Sequence, residues 1–319
     1  MGRLVHCGAV IADLVMTVPE LPPPGGDAFA TSAVTTPGGG FNVMSAAARA
    51  GMPVLYAGAH GTGDRGDLVR AALAAEGIGI LHPPVPGQDT GLCVALVDAR
   101  GERTFVTRLG AEMVLDAQAL ARISPAPGDH VYVVGYGLMA GPHVAELDHW
   151  IGGLDPGVRL VVDPAPVVAS IAPDLLERVL RRTDVLSLNA REAGQVTGAQ
   201  TPEAAAEALA GRIRAEGTVV VRDAARGCVV GRAGGPPVRV PSFPVEAVDT
   251  IGAGDAHVGV FLAGLHDGLS PVEAALRANA AAAIAVTRRG PATSPHRREL
   301  EDFLSAHPPR SGAPIHHVR

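Results

Sequence analysis

Short β-branched runs alternate with longer Ala- and Leu-rich segments through most of the chain. Continuous apolar runs read as strands buried on both faces: Leu4–Val10, Val54–Ala57, His130–Val134, Leu160–Asp163, Val185–Leu188 and Thr218–Arg222. Apolar residues at helical spacing predict helices over Asn42–Ala50, Gly66–Glu76, Pro142–Gly152, Ala172–Arg181, Pro202–Glu216, Asp255–Asp267 and Pro271–Val286. This alternation predicts an α/β fold, a mostly parallel central sheet between two helical layers. In such sheets ligands collect at the carboxyl ends of the strands.

Two stretches break the rhythm. Asp13–Gly38 is rich in Pro and Gly, and Thr90–Leu109 alternates as two strands around the turn Asp98-Ala99-Arg100-Gly101. Together they predict a small β-sheet lid that closes over a substrate. The expected organisation is a main domain from residues 1–12, 39–89 and 110–306. The lid takes 13–38 and 90–109, and a tail runs over 307–319.

Composition narrows the chemistry. A length of 319 residues suits one large α/β domain or two small ones, and 47% hydrophobic with 18% charged residues is ordinary for a globular protein. A net charge of −6 argues against a nucleic-acid partner. No apolar run approaches the roughly 20 residues of a membrane span. The apolar N-terminus is interrupted by Asp13 and reads as a first strand rather than a signal peptide, so a cytoplasmic location is expected. Cys7, Cys93 and Cys228 lie far apart and read as small core residues without metal-site spacing. All 26 basic residues are Arg, and the absence of Lys excludes a Schiff-base enzyme, a Walker A loop and a protein-kinase site. Any phosphate chemistry must use backbone N–H groups, Arg and a metal.

The richest motif is Asp249-Thr250-Ile251-Gly252-Ala253-Gly254-Asp255. Two carboxylates bracket a Gly-rich turn that opens a helix, and a helix N-terminus suits a phosphate. Asp255 at that terminus would repel a phosphate, but it suits the base that takes a proton from an attacking hydroxyl. The plainer alternative is a capping Asp after a tight turn. Asn189 and Glu192 follow a strand and open a helix. Their spacing fits a capping box.

Over roughly positions 4–296 the chain resembles the ribokinase-like (PfkB) carbohydrate kinases. The signature D-T-x-G-A-G-D is intact at Asp249–Asp255. A glycine run, Gly38, Gly39 and Gly40, precedes Asn42 at a helix start, and Asp13 follows the first strand. The resemblance implies the ribokinase-like fold and an ATP-dependent sugar kinase. Asp255 would be the catalytic base, and the N–H groups of Gly252, Ala253 and Gly254 the anion hole. Asp13, Gly38, Gly39, Gly40 and Asn42 would bind the sugar. Asn189 and Glu192 would order Mg²⁺ near the ATP phosphates. The nucleotide loop departs from the family's Thr-x-Gly: Arg222 stands in the Thr place, Ala224 in the first Gly place, and Gly227 agrees. Asn279 falls where the family contacts adenine. Asp249, Ile251, Val286, Arg289 and Ser294 fall at a monovalent-cation loop, which implies K⁺. Arg103, Arg108 or Arg222 would supply positive charge for phosphoryl transfer, His257 is expected to be structural, and lid strands imply a homodimer. A nucleoside kinase is the nearest alternative, with Phe29, Phe41 and Phe105 as stacking faces. A non-catalytic sugar- or nucleotide-binding protein is the alternative from another class.

Overall fold

A computed structural model describes residues 2–141 and 143–308. The chain opens with β1 (Leu4–His6), β2 (Val10–Thr17), β3 (Ser32–Gly39), α1 (Gly40–Arg49), β4 (Val54–Tyr56), α2 (Asp64–Ala75) and β5 (Gly79–Ile80). Then come β6 (Leu92–Val97), β7 (Arg103–Arg108), α3 (Ala117–Arg122), β8 (His130–Val134), α4 (Val144–Gly152), β9 (Arg159–Asp163), α5 (Pro173–Arg182) and β10 (Val185–Asn189). The remainder is α6 (Ala190–Thr197), α7 (Pro202–Ala210), β11 (Thr218–Arg222), β12 (Cys228–Gly231), β13 (Val238–Val240), α8 (Ala253–His266), α9 (Pro271–Val286) and α10 (Arg297–Ala306).

Nine strands form the central sheet in the order β13-β12-β11-β10-β9-β8-β1-β4-β5. From β11 to β5 all neighbours are parallel, while β12 and β13 add an antiparallel edge. The apolar runs supply both faces by alternation. Val131, Val133, Leu160 and Val162 pack into one core with Leu147 and Ile151 of α4 and Val179 of α5. Tyr132, Val161 and Val220 pack into the other with α1, α8 and α9. This is the expected three-layer ribokinase-like fold.

A separate four-stranded sheet has the order β3-β2-β6-β7. The first strand departs from expectation. Leu4–Val10 is not one strand: pairing in the central sheet ends at His6, and Val10 already begins β2 of the small sheet. Gly8 makes the break, its N–H donating to His6 Nδ1 at 3.1 Å. The small sheet therefore takes in residues 10–12, three residues before the expected boundary at Asp13. Pro202–Glu216 is shorter than expected, since α7 ends at Ala210. The periodicity reading also passed over α3, α10, β5, β12 and β13. Pro142 and residues 309–319 lie outside the described residues, so the expected tail is described only as far as Pro308. Among the described residues no helix is long and apolar enough to cross a membrane.

Candidate active site

The site is built where α1 and α8 begin. Gly252 caps α8 with φ 71°, and a Cβ there would lie 1.8 Å from the Pro291 carbonyl oxygen, so the turn admits only glycine. Nearly two turns into α8, Gly259 lets the two helices touch: a Cβ there would lie 2.5 Å from the Val43 carbonyl oxygen. That contact brings Asn42 of α1 to Asp255 of α8, and Asn42 Nδ2 donates to Asp255 Oδ2 at 3.0 Å. Asn42 Oδ1 is buried and has no partner among the described residues. A buried acceptor left open costs free energy unless a ligand donor meets it, which suits a hydroxyl.

Asp13, on β2 beside Thr36 of β3, completes this end of the site. A Cβ on Gly38 would fall 1.9 Å from Asp13 Oδ2, so Gly38 leaves room for the carboxylate. Gly39 caps α1 with φ 61°. A Cβ on Gly40 would lie 2.1 Å from His6 Cε1, so α1 starts directly on the imidazole. Burial holds His6 neutral, with its pKa lowered to about 4.

Burial pushes the Asp255 carboxyl up to about 6, with the Asp163 carboxylate adding to the rise and Asn42 and Arg222 opposing it. Burial likewise raises Asp13 to about 6, helped by Asp255. Two neighbouring carboxyl groups raised to about 6 are the pattern expected of a proton-transfer site. His257, two residues past Asp255, is buried and neutral, its pKa lowered to about 3. It packs on Phe261, as expected of a structural residue.

At the anion end, the N–H groups of Gly252 and Gly254 have no partner among the described residues, whereas the Ala253 N–H leans on the Thr250 carbonyl at 3.3 Å. Arg222 ends β11 against this turn, with its Nε 3.6 Å from where a Gly254 Cβ would stand. Its Nη1 donates to Asp163 Oδ2 at 2.9 Å and Ser187 Oγ at 2.6 Å, leaving the Nε and Nη2 donors without hydrogen-bond partners. Burial works against its charge, but the Asp163 and Glu192 carboxylates outweigh it and raise its pKa. Asp163 was read from sequence only as a strand end, with no part in the site. It closes β9 just as Asn189 closes β10 and Arg222 closes β11, and the carboxyl-end rule for parallel strands was the signal available for it. Its Oδ1 accepts from the Ala165 N–H at 2.9 Å, which fixes the carboxylate.

Asn189 and Glu192 form a complete capping box at the start of α6. Glu192 Oε1 accepts from Asn189 Nδ2 at 2.6 Å and Oε2 from the Asn189 N–H at 2.9 Å. Burial raises the Glu192 pKa. Each carboxylate oxygen keeps a lone pair for a water, so the donor set still suits Mg²⁺.

The segment expected to bind the nucleotide makes a tight turn. Ala224 has φ 49° and Gly227 φ 89°, and a Cβ on Gly227 would lie 2.1 Å from the Val240 carbonyl oxygen. Ala224 thus takes a left-handed conformation that a glycine would adopt without strain. Asn279 is turned inward: Nδ2 donates to the Val240 and Pro241 carbonyls at 3.0 and 3.1 Å, bracing the edge strand. Arg103 leaves the set of free cations, since its Nη2 binds Asp249 Oδ1 at 2.5 Å. Phe41 is no stacking face, because it lies in an apolar cluster with Val10, Met44 and Tyr56.

Comparison with known proteins agrees with this geometry. The family model described as pfkB family carbohydrate kinase matches residues 1–298. The chain is 35% identical over 306 residues to an uncharacterized sugar kinase, YegV, of Escherichia coli K12, covering 92% of this chain and 91% of that one. It is 32% identical over 312 residues to a ribokinase of Haemophilus influenzae, covering 94% and 98%. A crystal structure of a ribokinase from Cryptococcus neoformans in complex with ADP superposes with a TM-score of 0.80 at 25% identity, covering 95% of this chain and 99% of that one. A parallel sheet, an intact Gly-rich turn at a helix N-terminus and full-length similarity converge: the chain belongs to the pfkB family of carbohydrate kinases.

Proposed function

We propose that this carbohydrate kinase transfers the γ-phosphoryl group of Mg·ATP to a hydroxyl, a primary one, of a small sugar such as ribose, fructose or a keto-deoxy sugar acid. The observation that carries the reading is the pair Asn42–Asp255 at 3.0 Å, set at the N-terminus of α8 beside unpaired N–H groups. Asp255 Oδ1 accepts the proton of the attacking hydroxyl, while Asn42 holds Oδ2 and offers its own Oδ1 to the sugar. Asp13 accepts from further hydroxyls. The N–H groups of Gly252 and Gly254, with the Arg222 Nε, which makes no hydrogen bond among the described residues, and its Nη2, which lies 3.9 Å from Glu192 Oε2, meet the charge that develops on the transferred phosphoryl group. Of the three arginines expected to supply charge, Arg103 is engaged by Asp249 and Arg108 is exposed on β7, so the proximity of Arg222 Nε to Gly254 supports Arg222 in this role. Asn189 and Glu192, with Asp163 near them, would hold Mg²⁺ through water, and a bound Mg²⁺ would supply charge neutralisation on the phosphates. Ala224 and Gly227 would line the nucleotide loop, while Asn279 supports that loop from behind.

The small sheet is read as the lid. Its strands β3 and β7 are edges, and Val34, Val106 and Leu109 on or next to them are exposed apolar residues, which favours pairing with a second copy. Phe105 is exposed and shares a face of β7 with Arg103, which keeps a nucleoside acceptor as the second reading. The test is ADP release from Mg·ATP across ribose, fructose, 2-keto-3-deoxygluconate, adenosine and inosine. Turnover on a sugar supports the reading, turnover on nucleosides alone supports the second, and a silent panel with confirmed ATP binding counts against both.

A further inference from the structure

The turn at Asp249 and the loop from Val286 to Ser294 are where the expected ligands would place a potassium ion. They do not fit one here. Asp249 Oδ1 accepts from Arg103 Nη2 at 2.5 Å and from the Ile251 N–H at 3.0 Å, and Oδ2 accepts from the Gly290 N–H at 3.0 Å. The Val286 carbonyl accepts two N–H groups, from Val248 at 2.7 Å and Asp249 at 3.1 Å. The two segments are therefore stitched together directly. On the far side of the loop, Arg49 Nη1 donates to the Ala292 and Ser294 carbonyls at 2.7 and 3.0 Å. What remains of an ion site is the Ser294 hydroxyl, buried without a partner, and the Ile251 and Arg289 carbonyls, which accept nothing from the described residues. Asp249 is the one charged ligand in the expected set, and a guanidinium already sits on it. A second cation on the same carboxylate would be repelled by the first.

We propose that the Arg103 guanidinium takes the place of a monovalent cation in this chain, neutralising Asp249 and fixing the turn that carries Gly252 to Asp255, so that the protein works without potassium. Arginine suits the task because its charge is permanent and its donors are planar and fixed. Arg103 belongs to β7, so the positive charge is delivered by the small sheet rather than drawn from solvent. Order in the anion-binding turn is thereby tied to the small sheet lying over the central one. The consequence for turnover rests on the kinase reading, whereas the consequence for stability does not.

The experiment is thermal unfolding of the full chain, and of Arg103→Ala and Arg103→Lys, in potassium and in tetramethylammonium chloride at equal ionic strength, with sugar-dependent turnover measured in parallel. The unaltered chain and Arg103→Lys should show the same midpoint and turnover in both salts. Arg103→Ala frees Asp249 to join Ser294, Ile251 and Arg289, so potassium near ~0.1 M should raise its midpoint by about 5 °C. Its turnover should rise on the order of tenfold. Stabilisation or activation of the unaltered chain to that extent overturns the proposal, and so does an Arg103→Ala variant that folds and ignores potassium. If Arg103→Ala does not fold, indifference of the other two proteins supports the proposal and a response by either overturns it. Absence of turnover on every acceptor, with the stability pattern as expected, would remove the kinase reading and leave Arg103 in its role.

Discussion

Asp255 and Asp13 share one cleft, and each has its pKa raised to about 6. In the proposed mechanism both act in the ionised form, one accepting a proton and the other accepting hydroxyl hydrogen bonds. The ionised fraction falls as pH drops through the folded-state value. The expected result is that kcat/KM for the sugar is flat above neutrality and falls below about pH 6, steeply because two groups are lost together. The contribution to stability has the opposite sign. A raised carboxyl pKa favours the protonated native state, so that contribution is present below 3.8 and lost as pH rises through about 6. A pH–rate profile that stays flat to pH 5 would contradict the roles given to both residues. In the proposed mechanism Arg222 serves the transition state rather than the sugar. Arg222→Met should lower kcat by about 10²- to 10³-fold while leaving the sugar KM nearly unchanged, as steady-state kinetics would show. The residues of this site were unequally legible in the sequence. Asp255, Asn42 and Asp13 stand in motifs that resemble those of the family, and that resemblance is what suggests their chemistry. Asp163 looks like the last residue of an apolar strand, and its importance comes from Arg222, 59 positions away, which no local pattern connects to it. Asn279 is less direct: the resemblance suggests an adenine contact, and in the structure its Nδ2 donates to the Val240 and Pro241 carbonyls at the end of β13.

At the scale of elements, the catalytic pair depends on how closely α1 and α8 approach. Gly259 faces Val43 and Ala46, and a Cβ there would fall 2.6 Å from Ala46 Cβ. Gly259→Ala should push the helices apart at a cost of about 1–3 kcal/mol, stretch the Asn42–Asp255 hydrogen bond and reduce turnover more than ATP binding. Thermal unfolding and ATP titration on the same variant separate the two effects. The pattern of apolar runs gave the layers because each parallel strand is buried on both faces, as Val131, Tyr132 and Val133 illustrate. The end of the first strand was not readable that way. Leu4 to Val10 is apolar throughout, yet the chain changes sheets at Gly8, and the decision rests on His6 accepting its N–H and on α1 seating against the imidazole. The antiparallel edge strands β12 and β13 are short, and the Pro- and Gly-rich stretch between them hid the pairing.

For the whole molecule, the roles proposed for the small sheet link substrate site and assembly. Its site-facing residues include Asp13, Cys93 and Arg103, while Val106 lies on the opposite face of β7. Light scattering should give twice the chain mass for the unaltered protein, and Val106→Arg should shift it toward a monomer. The central claim is narrower than any of this: Asp255 takes the proton from the sugar hydroxyl. The most direct measurement is sugar-dependent ADP release by the unaltered protein and by Asp255→Asn, with ATP affinity measured on both. The expected result is a loss of turnover of about 10²- to 10⁴-fold with ATP affinity retained. Turnover in Asp255→Asn close to that of the unaltered protein would contradict the account.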